Sequence, residues 1–286
     1  MRIFCITVLL LMLSACSFNK MLVSASTPMI AGGIDALNRE TDLQLAEQAI
    51  PANIEMLEGM INIDPDNVKL HTYAAQAYYG LAFGFNEDTN PQRAAAFYMR
   101  GLNHGIKALE LEGAHNLRTT PIADFEQQVK KMPKSDVPAM FWAASNWAKW
   151  IDMHRDSAAS LAQLPRPTAL MQRVLELQED YYYGGADMYF GVYYGSRSPV
   201  LGGNFKKSRA FFDRARAITH NKLLMPDLLQ AQYLAHQQLD HDDFVKRLTR
   251  IVNAPDNLYP ELALINKIAK RKAAHLLKSW KESEWF

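Results

Sequence analysis

The side chains best equipped for recognition in this chain are aromatic. Residues 181–204 hold its densest run of tyrosine and glycine: Tyr181, Tyr182, Tyr183, Tyr189, Tyr193 and Tyr194 interleave with Gly184, Gly185, Gly191 and Gly195, and Arg197 follows. Tyrosine joins an apolar body to a polar tip, and Tyr and Trp are enriched at binding hot spots. Phe141, Trp142, Trp147 and Trp150 form a second concentration at helical spacing. Such stripes commonly pack a core. The sharper reading is that some of them line a groove or channel and meet a partner or an apolar ligand. Successive residues of a helix point about 100° apart, so Tyr181, Tyr182 and Tyr183 cannot all face one core if they are helical. The candidate contact residues are therefore Tyr181, Tyr182, Tyr183, Tyr189, Tyr193, Tyr194, Arg197, Trp147 and Trp150. Arg197 and the basic residues Lys206, Lys207, Arg209, Arg214 and Arg216 form a face that suits either solvent or an acidic partner surface.

Patterns for catalysis are weak. The 8 histidines are scattered and form no H-E-x-x-H motif. His236 and His241 stand near Asp240, Asp242 and Asp243, which reads as a solvated turn rather than a metal site. The Gly184-Gly185 and Gly202-Gly203 pairs follow no strand and precede no lysine-serine pair, so a phosphate-cradling loop is not expected. Glu282-Ser283 resembles the glutamate-serine pair of lytic transglycosylases, but the glycine-rich sequence that family places after it is missing. No catalytic residue, metal or cofactor is expected.

The N-terminus reads as a targeting segment. Met1 and Arg2 precede an apolar run, residues 3–13, that is too short to span a bilayer. It closes on Leu13, Ser14, Ala15 and Cys16, which resembles the lipobox of bacterial lipoproteins. That class is cleaved before the cysteine, and the thiol then carries a diacylglycerol. Residues 1–15 are expected to be a signal peptide and Cys16 the lipid attachment; several acyl chains on one residue give stable anchoring. Cleavage removes Cys5, one of 2 cysteines, and leaves no thiol for a disulfide or for catalysis. It also removes Arg2, which brings the 31 basic residues level with the 30 acidic ones and gives no support for nucleic-acid binding. Ser17 in place of an aspartate implies, within that class, the periplasmic face of the outer membrane.

The elements that would position the aromatic residues are helical. Residues 16–38 mix Ser, Ala, Thr, Pro and Gly and read as a tether, with Met29 and Ile30 apolar enough to dock on the body. From Thr41 onward the periodicity is helical almost everywhere, with no alternating strand. Leu43, Ala46, Ile50, Ile54, Leu57 and Ile61 form a stripe, in which Pro51 predicts a kink or break. The stripe stops at Asp64-Pro65-Asp66-Asn67, an ending typical of tetratricopeptide repeats. Leu70, Tyr73, Ala74, Ala77, Leu81 and Phe85 mark one face of the next helix, and Tyr78, Tyr79, Ala82 and Phe83 make its other side apolar too, so it should be sandwiched. Ala94, Tyr98 and Gly101 give the small–aromatic–small step of a repeat's second helix. Residues 125–131 predict a short inserted helix, and an amphipathic helix after Pro260 reads as a terminal cap. The expectation is an all-α fold of tetratricopeptide-like hairpins stacked into a solenoid or superhelix over residues 39–286.

Several stretches resemble the T component of tripartite ATP-independent periplasmic (TRAP) transporters, a family of bacterial lipoproteins. They are residues 46–59, 136–151, 171–203 and 260–272, of which the second and third are the specific ones. The resemblance implies an accessory role beside a periplasmic TRAP substrate-binding protein. It implies a homotrimer with a central channel that handles an organic, hydrophobic ligand, and it carries the lipid attachment onto Cys16. It supplies no catalytic motif, and residues 116–134 depart from its pattern. The alternative is a tetratricopeptide scaffold lipoprotein for envelope or outer-membrane assembly, with the same fold and anchor but another partner.

Overall fold

Helices make up the regular structure of residues 20–282, Ser24 excepted, which are the residues this computed structural model describes; no strand occurs among them. The order is α1 (Thr27–Asn38), α2 (Leu43–Ile63), α3 (Val68–Leu81), α4 (Pro91–Leu111), α5 (Ile122–Lys131), α6 (Val137–Asp152), α7 (Pro165–Leu177), α8 (Gly185–Gly195) and α9 (Phe205–Ile218). Then come α10 (Met225–Leu229, running on through Gln230–Ala235 to His236–Gln238), α11 (His241–Asn253) and α12 (Ala263–Glu282). Asp42, Asn67, Asn90, Asn204 and Asp240 each accept backbone N–H groups at the start of a helix, replacing the bonds those donors lack. Pro51 does not end α2, which runs unbroken from Leu43 to Ile63. Ile50 and Ile54 are buried on either side of it, so packing outweighs the one lost backbone bond. Two helices widen into π turns, α3 at Ala82–Asn86 and α10 at Gln230–Ala235.

Consecutive helices pack on each other: α2 on α3, α3 on α4, α4 on α6, α6 on α7, α8 on α9 and α10, α11 on α12. α4 crosses α6 with the two backbones close together. A Cβ on Gly105 would stand 2.7 Å from the Ala143 Cα, so only glycine admits this crossing. Asn146, buried on α6, donates to the carbonyls of Trp142 (2.8 Å) and Ala75 (3.0 Å) and so ties α6 to α3. The inserted α5 lays Phe125 and Val129 against this core and packs on α7.

Stacked hairpins do not continue as an open solenoid to the end. α12 returns to α1 and α2, where Leu264 and Ile268 join Ile50, Ile54 and Tyr78 in one buried cluster. It closes the structure rather than capping an exposed end. The segment expected to be a tether also folds in part: α1 is a helix, and Val23 and Ile30 are buried beside Leu57, Ile61 and Leu70. Met29 stays exposed. Cys16 and residues 1–15 lie outside the described residues.

A polar chain crosses α2, α3 and α4. The Tyr78 hydroxyl donates to Glu58 (2.6 Å), and His104 Nε2 lies 3.1 Å from the same carboxylate. His104 Nδ1 is 3.0 Å from His71 Nδ1, and His71 Nε2 is 2.9 Å from the Pro65 carbonyl. A neutral His71 donates from Nε2 to the Pro65 carbonyl and needs no second proton for that bond. Burial holds His71 below the ordinary histidine value. The unfolded chain takes up this proton near about pH 6.5, the folded chain only at lower pH. The stability that a neutral His71 contributes is thus fully present above that range and is lost as the pH falls through it. The melting temperature is expected to drop between about pH 7.5 and about pH 5.5. His71→Gln should flatten that slope, and an unchanged slope in the variant would remove His71 from the account.

Candidate functional site

The helices surround a cavity of about 760 Å³. That is within the range of small-molecule sites, roughly 300–1,000 Å³. α1 presents Met29, Ile30, Gly33, Ile34 and Leu37 to it, one stripe at helical spacing. Tyr79 and Phe83 from α3 and its π turn, Trp142 from α6 and Ile268 from α12 also line it. The walls are mainly apolar, and exposed Met29, Met56, Leu161 and Leu201 contribute to the lining from four separate segments.

The tyrosine run reaches the cavity by a route its spacing did not reveal. Residues 181–183 are not helical; α8 begins at Gly185. Tyr182, Tyr183 and Gly184 have φ of 46°, 60° and 78°, three consecutive left-handed residues. For a residue with a Cβ this conformation costs roughly 1–2 kcal/mol. Packing holds it: the Tyr182 ring meets Trp142 edge-on at 4.6 Å, and Tyr183 meets Tyr259 at 6.4 Å. The turn delivers both rings to the cavity; α8 then adds Tyr189 and Tyr193, four residues apart on one face, and Arg197 follows just past its end. Tyr189 is fixed by a 2.8 Å hydrogen bond with Thr168.

The other candidates lie elsewhere. Tyr181 packs against Phe141 at 5.3 Å, and burial pushes its hydroxyl up to about 12. Tyr194 stacks on Phe211 at 5.7 Å. Trp147 is wholly buried, with its indole N–H donated to Gln163 (2.9 Å), so it packs the core and has no surface to offer a partner. Trp150 packs against His154 at 4.5 Å with the rings tilted, and it does not line the cavity. The basic face of α9 is partly turned inward: Arg214 pairs with buried Asp187 (2.6 Å), and Arg216 reaches buried Asp227 (3.2 Å) together with Arg247 and Arg250.

Sequence reasoning missed a charged wall between the two π turns. Lys149 lies 2.7 Å from Glu87 and 3.1 Å from Asp152, and Tyr233 donates to Asp152 at 2.9 Å. Arg155 also pairs with Asp152, and Tyr98 donates to Glu87. Lys272 of α12 reaches Glu87 (3.1 Å) and Asp88 (3.0 Å). Burial alone would disfavour the charge on Lys149, but Glu87, the Tyr233 hydroxyl and Asp152 hold it well above the usual lysine value. Burial likewise opposes ionised Asp152, and Lys149 and Arg155 overcome it to keep its value low. Lys149, Asp152, Arg155 and Tyr233 all line the cavity. These groups satisfy one another and leave no free nucleophile or base. Among the described residues no group of three or more His, Cys, Asp or Glu side chains is placed to hold a metal ion. No residue spacing signals this wall; the π turns beside it, a feature often found at functional positions, show only in the structure.

A family model described as TRAP transporter T-component matches residues 39–284. No curated protein matches the chain. The matched residues include every described cavity element except α1, which precedes them.

Removing the central cation of the charged wall should be costly. Lys149→Met leaves Glu87 and Asp152 buried with less compensation, and a loss of about 3 kcal/mol is expected. Denaturant unfolding reads this as a lower midpoint, with Lys149→Arg retaining most of the stability. A Lys149→Met protein as stable as the parent would show that the wall is not held by its charges.

Proposed function

The chain belongs to the TRAP transporter T-component family, and on that premise we propose that it is a lipid-anchored periplasmic accessory of a TRAP-type uptake system that acts by binding rather than by catalysis. In this reading it docks the system's substrate-binding protein and holds an organic, largely apolar ligand in its cavity. The observation that carries the reading is the cavity itself, about 760 Å³ walled mainly by apolar and aromatic side chains. An apolar space of this size forgoes dispersion contacts that closer packing would supply. The left-handed backbone at Tyr182 and Tyr183 adds a second cost at the same place. Two costs meeting at one wall are what a ligand site requires and a purely structural core does not.

The anchor in this reading is Cys16. No helix among the described residues is long and apolar enough to cross a membrane; in this reading the lipid is the attachment, with the outer membrane as its destination. A homotrimer would bring several such cavities to one binding protein, and sedimentation of the purified protein reads that stoichiometry. Affinity capture from the periplasm should recover a TRAP substrate-binding protein. Recovery of outer-membrane assembly factors alone would favour a scaffold for envelope assembly and overturn the transport role. For the anchor, Cys16→Ser should abolish labelling by a palmitate analogue and move the protein from the membrane fraction to the soluble one. A variant that stays with the membrane would sink that part of the proposal.

A further inference from the structure

The ionisable groups of the cavity wall do not cancel. Lys149 and Arg155 face Glu87 and Asp152, and Lys272 behind them faces Asp88. Arg197 has no carboxylate partner among the described residues. Its contacts are to the last turn of the preceding α8: Nε and Nη2 donate to the Tyr193 carbonyl (3.2 and 2.8 Å), and the guanidinium lies 4.0 Å from the centre of the Tyr193 ring. A cation at the end of α8 suits the partial negative charge there. That contact also fixes the plane of the fork. It uses two of five N–H groups, and the others belong to a partly buried side chain that lines a largely apolar chamber beside Ser196.

Resting on the cavity reading above, we propose that the ligand is a single-chain amphiphile bearing one carboxylate, with the acid group held by Arg197 and the apolar chain lying along the aromatic walls. The guanidinium fork matches a carboxylate in a bidentate way, and the other lining guanidinium, Arg155, is already paired with Asp152. One unmatched cation calls for one acid group. A small dicarboxylate held by Arg197 would have to place its second charge close by, beside the Tyr193 and Tyr189 rings, where an unpaired charge is costly. A neutral lipid would fill the walls but leave the free N–H groups of Arg197 without an acceptor. The acidic protein surface that the sequence offered as a partner for Arg197 fits less well, because Arg197 lies in the cavity lining with Tyr189 and Tyr193.

Calorimetric titration of the mature chain, carrying Cys16→Ser so that no detergent is needed, separates these outcomes. The ligands are dodecanoate, dodecanol and butanedioate at about pH 7.5, where carboxylates are ionised. Dodecanoate is expected to bind roughly ten- to a hundredfold more tightly than dodecanol, and butanedioate not measurably. Arg197→Met should bring dodecanoate down to the affinity of dodecanol and leave dodecanol unchanged, which also reports an intact cavity. Should that variant lose dodecanol too, the same comparison in Arg197→Gln decides. Equal affinities in the parent, or a preference for the acid that survives without Arg197, would overturn the acid-group assignment and leave the apolar chamber standing. If neither long-chain compound binds, the cavity reading itself falls.

Discussion

Lys272 joins the end of the chain to its beginning, and the cavity depends on that junction. Its ammonium reaches Glu87 and Asp88 just beyond α3, while Arg271 beside it donates to the Gly84 carbonyl. One turn earlier, Ile268 lies so close to Gly84 that a Cβ there would stand 3.1 Å from its Cδ1. These contacts fix α12 in a single register against the first hairpins. Without them α12 would be free to slide, and a wall that includes Leu264, Ile265 and Ile268 would open. Buried ion pairs add little net stability, because desolvation offsets most of their attraction. Their value here is geometric: a hydrophobic face alone would tolerate a shifted α12, whereas Lys272 finds two carboxylates in one position only.

The parts of the fold legible in the sequence are those where a helix stripe is buried by its neighbour in the chain. Ala46, Ile50, Ile54, Leu57 and Ile61 recur at helical spacing and are buried together on α2. The turn at residues 64–67 and the capping Asn67 follow from the same local rules. Legibility fails where burial depends on distant partners. Amphipathicity showed that α12 has a face to bury, but not that the partner stands at the other end of the chain. α1 reads as part of a tether because residues 16–38 mix Ser, Ala, Thr, Pro and Gly; in the fold it buries only Ile30, while Met29, Ile34 and Leu37 line the cavity without being buried. The π turn at Ala82–Asn86 follows an ordinary helical pattern, so nothing in the spacing marks the extra width.

The aromatic run shows the same division within a few residues. Its density pointed to the right stretch, and Tyr182, Tyr183, Tyr189, Tyr193 and Arg197 do line one wall. Helical spacing explains Tyr189 and Tyr193 on α8, and Arg197 follows four residues on, just past the helix end. It cannot explain the first two, whose left-handed backbone is imposed by Trp142, Tyr259 and the close fit of Gly185 against Phe141. Trp147 resembles Trp142 in type and sits one turn further along α6. It is nonetheless sealed in by Phe125 of α5 and by Gln163, contacts across 22 and 16 residues that residue type alone does not foretell.

The distribution of charge around the cavity follows from one rule: a low-dielectric space tolerates polar groups that are neutral or paired. Burial raises the hydroxyls of Tyr182, Tyr189 and Tyr233, so the tyrosines stay protonated and act as neutral donors across the working pH range. The charged side chains are gathered into one wall, where Lys149, Asp152, Arg155 and Glu87 neutralise one another. Such a wall neither attracts nor repels an ion strongly, and its groups are held too firmly to reorganise around a ligand. Discrimination must then come from what lies outside the balanced set. Shape and apolar area set the length and bulk of what can enter, and Arg197 is the lining cation outside that set, available to choose among molecules of the same shape.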